Sequence, residues 1–251
     1  TLLPDGARAV VVRIRAGERP PRARDRIGDQ LLAKRADMMV ARTVAIDDAI
    51  RAARAPQVVV LGAGLDGRAW RMPELAEAVV IEVDHPDSQR GKRERAAALT
   101  PMAREVRFAA VDFTKDDLGE SLAAAGHDAG LPTTWVWEGV VMYLDAAAID
   151  ASMRVIAARS APGSRLVIVY LAPAVMTHLV GLIVRRLGEP FRSRFTPDAM
   201  AALLGRHGFD VQGDRDLVTI SRSLSPTLAR RMRPLRYQRV VVAAPRAGAR
   251  P

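Results

Sequence analysis

Gln57-Val-Val-Val-Leu-Gly-Ala-Gly-Leu-Asp-Gly67 is the stretch on which the fold turns. Four consecutive apolar residues bounded by Pro56 and Gly62 suit a short strand covered on both faces, the kind found in parallel sheets. The glycines stand directly after that strand and before a helical segment, where positions without a side chain let a ligand lie against the carboxyl edge of the sheet. Upstream, Ile27 to Ala55 sets Leu31, Leu32, Met38, Met39, Val44, Ile46 and Ile50 at helical spacing and stops at Pro56. Downstream the two patterns alternate. Val79 to Val83, Val106 to Val111, Thr134 to Trp137 and Arg165 to Tyr170 read as strands; Pro86 to Leu99, Asp116 to Ala125 and Ala146 to Arg159 read as helices. Five strands separated by helices predict an α/β, doubly wound sheet.

Beyond Tyr170 the pattern changes. Ala174 to Leu187 is apolar, then basic, at helical spacing, and Thr196 with Pro197 marks the start of a helix that runs to His207. Gly208 to Gly213 and Arg236 to Ala244 read as two closing strands, with a loop and a basic turn, Ser221 to Pro234, between them. No crossover helix joins these strands, so they are expected to be antiparallel. The sheet is therefore mostly parallel with an antiparallel C-terminal strand. The whole chain, 1–251, reads as a single domain: an N-terminal helical segment (1–55), a ligand-binding core (56–171), a helical cap inserted after the fifth strand (172–195), and a C-terminal helix with closing strands (196–251).

Composition narrows the classes. With 49% hydrophobic and 26% charged residues the chain is globular, and the absence of cysteine excludes disulfide scaffolds and thiolate metal sites. The four histidines are not at metal-ligand spacing, so no metal is expected. Leu179 to Val184, the longest apolar run, is far short of the ~20 residues that span a bilayer, and Thr1 onward shows no signal peptide. The chain thus reads as cytoplasmic, with no membrane partner. Charge is unevenly spread: residues 185–251 hold 14 Arg against 5 acids, whereas the preceding residues are nearly balanced, at 24 basic and 23 acidic. Arg accounts for 35 of the 38 basic residues, which fits high-GC coding drift as well as a basic rim that attracts an anionic partner. Aromatic residues for base stacking are not interleaved with that Arg cluster, so no nucleic-acid partner is expected.

Taken literally, Gly62 to Gly67 is a GxGxxG loop, and Asp84 closes the second strand about 20 residues on, as a ribose-binding acid would. Two cofactors fit: a nicotinamide dinucleotide, with its pyrophosphate at a helix N-terminus, or S-adenosylmethionine, with its ribose on Asp84 and its amino acid tail near the glycines. The expected antiparallel close of the sheet and the lack of a Tyr-x-x-x-Lys dyad favour the second. So do the acids at the ends of strands two, three and four, Asp84, Asp112 and Glu138, which suit the ribose, adenine amine and ammonium groups.

Five linked motifs carry a resemblance. Arg42-Thr-Val-Ala-Ile-Asp-Asp48, Val60-Leu-Gly-Ala-Gly-Leu-Asp-Gly-Arg-Ala-Trp-Arg-Met72, Ile81-Glu-Val-Asp-His-Pro86 with Lys92, Val111-Asp-Phe113 and Trp137-Glu-Gly-Val-Val-Met-Tyr-Leu144 resemble, in order and over roughly residues 25 to 171, the leucine carboxyl methyltransferase family, in particular its bacterial branch of S-adenosylmethionine-dependent O-methyltransferases. The resemblance implies a class I methyltransferase-like fold. It implies that Arg42 meets the cofactor carboxylate, that Gly62, Ala63 and Gly64 form the loop beneath the methionine moiety, and that Asp84 is the ribose acid, with His85 bordering the adenosine. Asp112 with Phe113 would contact adenine, and Glu138 would lie near the cofactor ammonium. Gly67 stands where the family usually has Thr, which removes a hydroxyl from the turn. The C-terminal third, where the acceptor is chosen, matches the family only generically.

Methyl transfer to oxygen is an in-line displacement, and a carboxylate acceptor needs no general base. A phenol or alcohol would want one, and His178 or Tyr143 would then be the catalytic candidates. A small organic acid methylated at its carboxylate is the expected acceptor, because the Arg-rich segment from Arg185 to Arg194 adjoins the expected pocket mouth. A hydroxyl acceptor, a nicotinamide oxidoreductase and an inactive family member serving as a partner subunit are the alternatives. A homodimer is compatible with the sequence. His127 and His207 carry no expected function, and Trp70, Trp135 and Trp137 are expected in the core.

Overall fold

A computed structural model describes residues 23–174 and 191–247, the side chains of 23–35 excepted. Helix α1 (Ala23–Ala53) leads into β1 (Gln57–Leu61), followed by the single-turn α2 (Arg68–Arg71), β2 (Val79–Asp84), α3 (Pro86–Ala96), β3 (Glu105–Ala110), α4 (Leu118–Ala124), β4 (Thr133–Trp137), α5 (Ala146–Ala158) and β5 (Arg165–Leu171). The remainder is α6 (Pro197–Arg206), β6 (Phe209–Asp216), α7 (Leu217–Arg222), α8 (Pro226–Met232) and β7 (Gln238–Pro245). The seven strands form one sheet in the order β3-β2-β1-β4-β5-β7-β6. The first five are parallel, and β7 runs antiparallel to both neighbours, β5 and β6.

Strand side chains alternate between the faces of a sheet, so the apolar run of β1 supplies both cores at once. Val59 and Leu61 join Ile81, Trp135 and Trp137 under α4, α5 and α6. Val58 and Val60 join Val80, Val136 and Val167 on the other face, under Ala41, Ala45, Ile46 and Ile50 of α1 and under Leu217, Ile220 and Met232. Trp135 and Trp137 are fully buried, as expected; Trp70 is only half-buried, with the Lys92 ammonium 5.4 Å from its ring centroid.

Differences from the sequence reading have local causes. Ser221 to Pro234 is not a loop: it holds the end of α7, all of α8 and a 3-10 turn, Arg233–Leu235. Asp216 caps α7 by accepting from the Thr219 N–H at 2.7 Å. Ser225 caps α8, with Pro226 in its first turn, the same signature as Thr196 and Pro197. Strand β6 runs on to Asp216 through a register shift between Val211 and Gly213, and such a bulge breaks the alternation a sequence pattern depends on. Residues 175–190, with His178 and the expected cap residues Val175, Leu179, Leu182 and Ile183, lie outside the described residues, as do 1–22. Among the described residues no helix is long and apolar enough to cross a membrane.

The chain builds outward from β1 through β2 to β3, then returns to lay β4 on the other side of β1. Ligands of such sheets bind outside the carboxyl ends of the strands at this reversal. Leu61, the last residue of β1, is in register with Val83 of β2 and Trp137 of β4. Gly62, Asp84 and Glu138 therefore emerge together at one edge.

Candidate functional site

The loop after β1 is tied down before it turns. Gly62 and Ala63 both donate their N–H to the Val83 carbonyl, at 2.8 and 3.0 Å, and the Gly64 N–H donates to Asp84 Oδ2. Gly62 and Gly64 have φ of +72° and +45°, the left-handed region that favours glycine. A Cβ on Gly62 would sit 1.9 Å from Val140 Cγ2, so this residue is also required by close packing. Gly64 and Gly139 differ: the first has nothing closer than 3.9 Å to a would-be Cβ and the second nothing within 4 Å. Gly139 faces open space and Gly64 meets only ordinary contacts, and both line a pair of clefts.

The first cleft, about 370 Å³, is lined by Met39, Arg42, the Gly62–Arg68 loop, Arg71, Glu138 and Gly139. Its polar wall is an ion network built on Arg68, which is buried at the start of α2. Arg68 Nε donates to Asp47 Oδ1 at 2.8 Å and Nη1 to Glu138 Oε2 at 2.9 Å; Nη1 also meets Asp66 Oδ2. Glu138 shares its other oxygen with Arg42 Nε at 2.5 Å, and Arg71 holds Asp47 through both amino groups. Burial disfavours the Arg68 charge, but the Asp66, Glu138 and Asp47 carboxylates outweigh it and raise its pKa. Burial likewise opposes the Asp47 carboxylate, yet hydrogen bonds from Arg71 and Arg68 bring its pKa below the usual value. Asp47 and Asp48 are therefore not partners of Arg42: the first belongs to Arg68 and Arg71, the second to Arg51.

The second cleft, about 620 Å³, shares Gly62, Gly64 and Gly139 with the first and adds Asp84, Ser88, Thr114, Val140, Tyr143, Leu144, Asp145 and Arg192. Asp84 Oδ1 accepts from the His85 N–H at 2.7 Å. Tyr143 sits in a 3-10 turn, Val141–Tyr143, its ring 5.6 Å from that of Phe191. The segment carrying Arg192 is pinned to this turn: the Arg192 N–H donates to the Met142 carbonyl at 2.8 Å and Ser193 Oγ to the Val141 carbonyl at 2.6 Å. The Arg192 guanidinium is half-exposed and 3.9 Å from Asp145.

Arg42, Gly62, Ala63, Gly64 and Glu138 thus meet in one cleft, and Asp84 and Tyr143 in its neighbour. His85 points elsewhere, accepting from the Asp87 N–H at 3.4 Å as the cap of α3. Asp112 lines neither cleft. Its carboxylate accepts from Thr114 N–H and Oγ1–H at 3.0 and 2.7 Å and pairs with Lys115 at 2.9 Å, contacts that hold its pKa far below the usual range. Phe113 is half-buried against the core and lines a third recess, of about 330 Å³, with Thr114 and Asp145. His178 lies outside the described residues. His127 and His207 have structural partners, Thr133 with Arg159 and Asp150 respectively.

Sequence reasoning assigned no role to Asp47, Asp66, Arg68 or Arg71, although all four fall within the motifs quoted for the resemblance. Lys92, also quoted there, forms a buried pair with Glu82 at 2.6 Å; burial, resisted by Lys92, raises Glu82 to about 7. The missing Thr at position 67 is partly replaced by Asp66, whose Oδ1 accepts from the Arg68 N–H at 2.7 Å where Gly67 provides no side-chain cap. Among the described residues no group of histidines and carboxylates could hold a metal ion.

A sheet in this order with a ligand crevice at the β1/β4 reversal is a class I methyltransferase-like fold. The chain belongs to the leucine carboxyl methyltransferase family, whose model matches residues 1–157. A Mycobacterium relative named "Putative S-adenosyl-L-methionine-dependent methyltransferase" is 35% identical over 182 residues, covering 72% of this chain and 56% of the relative. The chain spans about half the length of the curated relatives it matches. Among solved structures, a duf574 family protein of Streptomyces avermitilis aligns with a TM-score of 0.65 at 17% identity, covering 85% of this chain and 82% of that one. Human N-acetylserotonin methyltransferase, solved with SAM, aligns at 0.54 and 16% identity, over 88% and 56%. At these identities the likeness is one of fold.

Proposed function

We propose that the protein is an S-adenosylmethionine-dependent methyltransferase that methylates oxygen, the acceptor being a carboxylate of a small organic acid. One observation carries the reading: a glycine loop at the end of β1 separates a cleft walled by a paired arginine and glutamate from a cleft walled by an aspartate at the end of β2. The open space over Gly139 and the clefts that Gly64 and Gly139 line fit a ligand lying along the loop. Arg42 and Glu138 present opposite charges to one point, which suits the carboxylate and ammonium of an amino acid tail. Asp84 keeps acceptor capacity beyond the two backbone N–H groups it holds, as binding of ribose hydroxyls requires. At the adenine end Phe113 offers an apolar edge, while Asp112 acts through the turn it holds, with Thr114 reaching the second cleft.

When bound, the sulfonium supplies an electrophilic methyl. The chain's task is then to align an acceptor oxygen with it and exclude water. An ionised carboxylate needs no base, and Arg192 beside Tyr143 in the second cleft favours an anion there. Of the two side chains expected to assist a hydroxyl acceptor, Tyr143 lines the second cleft and His178 lies outside the described residues.

Calorimetry with S-adenosylhomocysteine and NADH tests the cofactor: binding of the first alone is expected, and binding of NADH alone overturns the reading. Labelled S-adenosylmethionine with a panel of acids, phenols and alcohols tests the acceptor. Base-labile label on carboxylic acids is expected, whereas base-stable label confined to phenols overturns the carboxylate assignment.

A further inference from the structure

The Arg42–Glu138 pair raises a physical difficulty. Both side chains are largely buried, at 13% and 11% exposure. A ligand that carries its own carboxylate and ammonium must draw the two apart, and separating a buried ion pair normally leaves a charge without a partner, at considerable cost. Glu138 has a second cation. Arg68, only 3% exposed, reaches its other oxygen at 2.9 Å and is itself fixed by Asp47 and Asp66. Arg68 cannot turn to a ligand without abandoning all three carboxylates.

We propose that Arg68 is a positioning residue for the amino acid tail of the cofactor: it anchors Glu138 so that Arg42 can exchange its protein carboxylate for the ligand's while Glu138 stays in place to meet the ligand's ammonium. The network makes this exchange nearly neutral in charge, since Arg42, Arg68 and Arg71 stand against Asp47, Asp66 and Glu138. A zwitterionic tail adds no net charge to it. Asp66 serves the same end through the backbone, bonding the Arg68 N–H and so fixing the turn from which the side chain departs. The proposal rests on the cofactor reading above and concerns only the tail end of that ligand.

Two ligands separate this role from a general structural one: S-adenosylhomocysteine, which has the tail, and 5′-methylthioadenosine, which lacks it. In Arg68→Lys, and in Arg68→Met if it folds, affinity for S-adenosylhomocysteine is expected to fall about 10- to 100-fold, with affinity for 5′-methylthioadenosine held within about twofold. Adding Glu138→Gln to Arg68→Lys is expected to cost much less than Glu138→Gln alone, because the two residues act through one contact. Equal losses for both ligands at an unchanged melting temperature, or an unaltered S-adenosylhomocysteine affinity, overturn the positioning role. A wild-type protein that binds neither ligand overturns the cofactor reading, and the proposal falls with it; one that binds both leaves the variants to decide.

Discussion

The two clefts on either side of the glycine loop are built by opposite means. On the Arg42 side, six charged groups are locked together, and the central one, Arg68, is buried. On the Asp84 side, Arg192 is half-exposed and reaches its nearest carboxylate at 3.9 Å. The first arrangement holds its geometry before any ligand arrives, which suits recognition of a group that never varies. The second leaves a cation and an open volume beside Asp84.

The loop that divides the clefts is where the comparison breaks most easily. Gly62→Ala places a Cβ against Val140 in a left-handed backbone, and a loss of about 3 kcal/mol is expected, read as a lower denaturation midpoint. An unchanged midpoint would mean that the loop is looser than described. Asp84→Ala strips an acceptor from the Gly64 and His85 N–H groups, and S-adenosylhomocysteine affinity is expected to fall by about 1–3 kcal/mol by calorimetry.

Proton linkage probes the buried Glu82–Lys92 pair within and beside β2. Because Glu82 is raised from 4.5 to about 7, the folded state binds the extra proton between those values, so this group's contribution to stability is present below pH 4.5 and is lost as pH rises through 7. His127, whose pKa burial lowers to about 4, contributes the opposite slope, so the difference between variants is the readout. Urea titrations from pH 4 to 8 are expected to give a stability that rises more, or falls less, with pH in Glu82→Gln than in the unaltered protein, and the same pH dependence in both would remove Glu82 as a contributor. Smaller effects follow on the open side. Arg192→Ala is expected to raise KM for an anionic acceptor about 3- to 10-fold with kcat held, and added salt should narrow the gap. Least of all, Gly67→Thr restores a helix cap and is expected to stabilise the chain by a few tenths of a kcal/mol, measured as a small rise in melting temperature.

The parallel half of the sheet was readable because its signals are local. A buried run between Pro56 and Gly62, acids closing strands, and proline after a capping residue each need only a few neighbours in sequence. The C-terminal helices were hidden by a bulge that scrambled β6 and by a run of arginines that masked the apolar spacing of Leu217, Ile220, Ala229 and Met232. In the site, the glycines, Asp84 and Glu138 stood out because each closes or follows a recognisable element, whereas Arg42, midway along α1, was pointed to by the family resemblance alone. Arg68 did not, since its importance lies in three carboxylates drawn from α1, the glycine loop and the end of β4. No one-dimensional pattern brings those together. Asp112 shows the reverse limit: its strand-end position was correct, but Thr114 and Lys115 claim its oxygens.

The reversed strand has a consequence for how the molecule comes into being. β7 follows β6 in the chain but lies between β6 and β5, so of the seven described strands the one synthesised last is an interior one. Until Gln238–Pro245 emerges, the outer edge of β5, with Val167 and Val169, has no neighbour, and β6 has nothing to pair with. A nascent chain stalled or truncated short of residue 238 therefore exposes an apolar strand edge, a ready template for aggregation. Such a product is expected to need chaperone protection even though every group of the Arg68 network has already been synthesised.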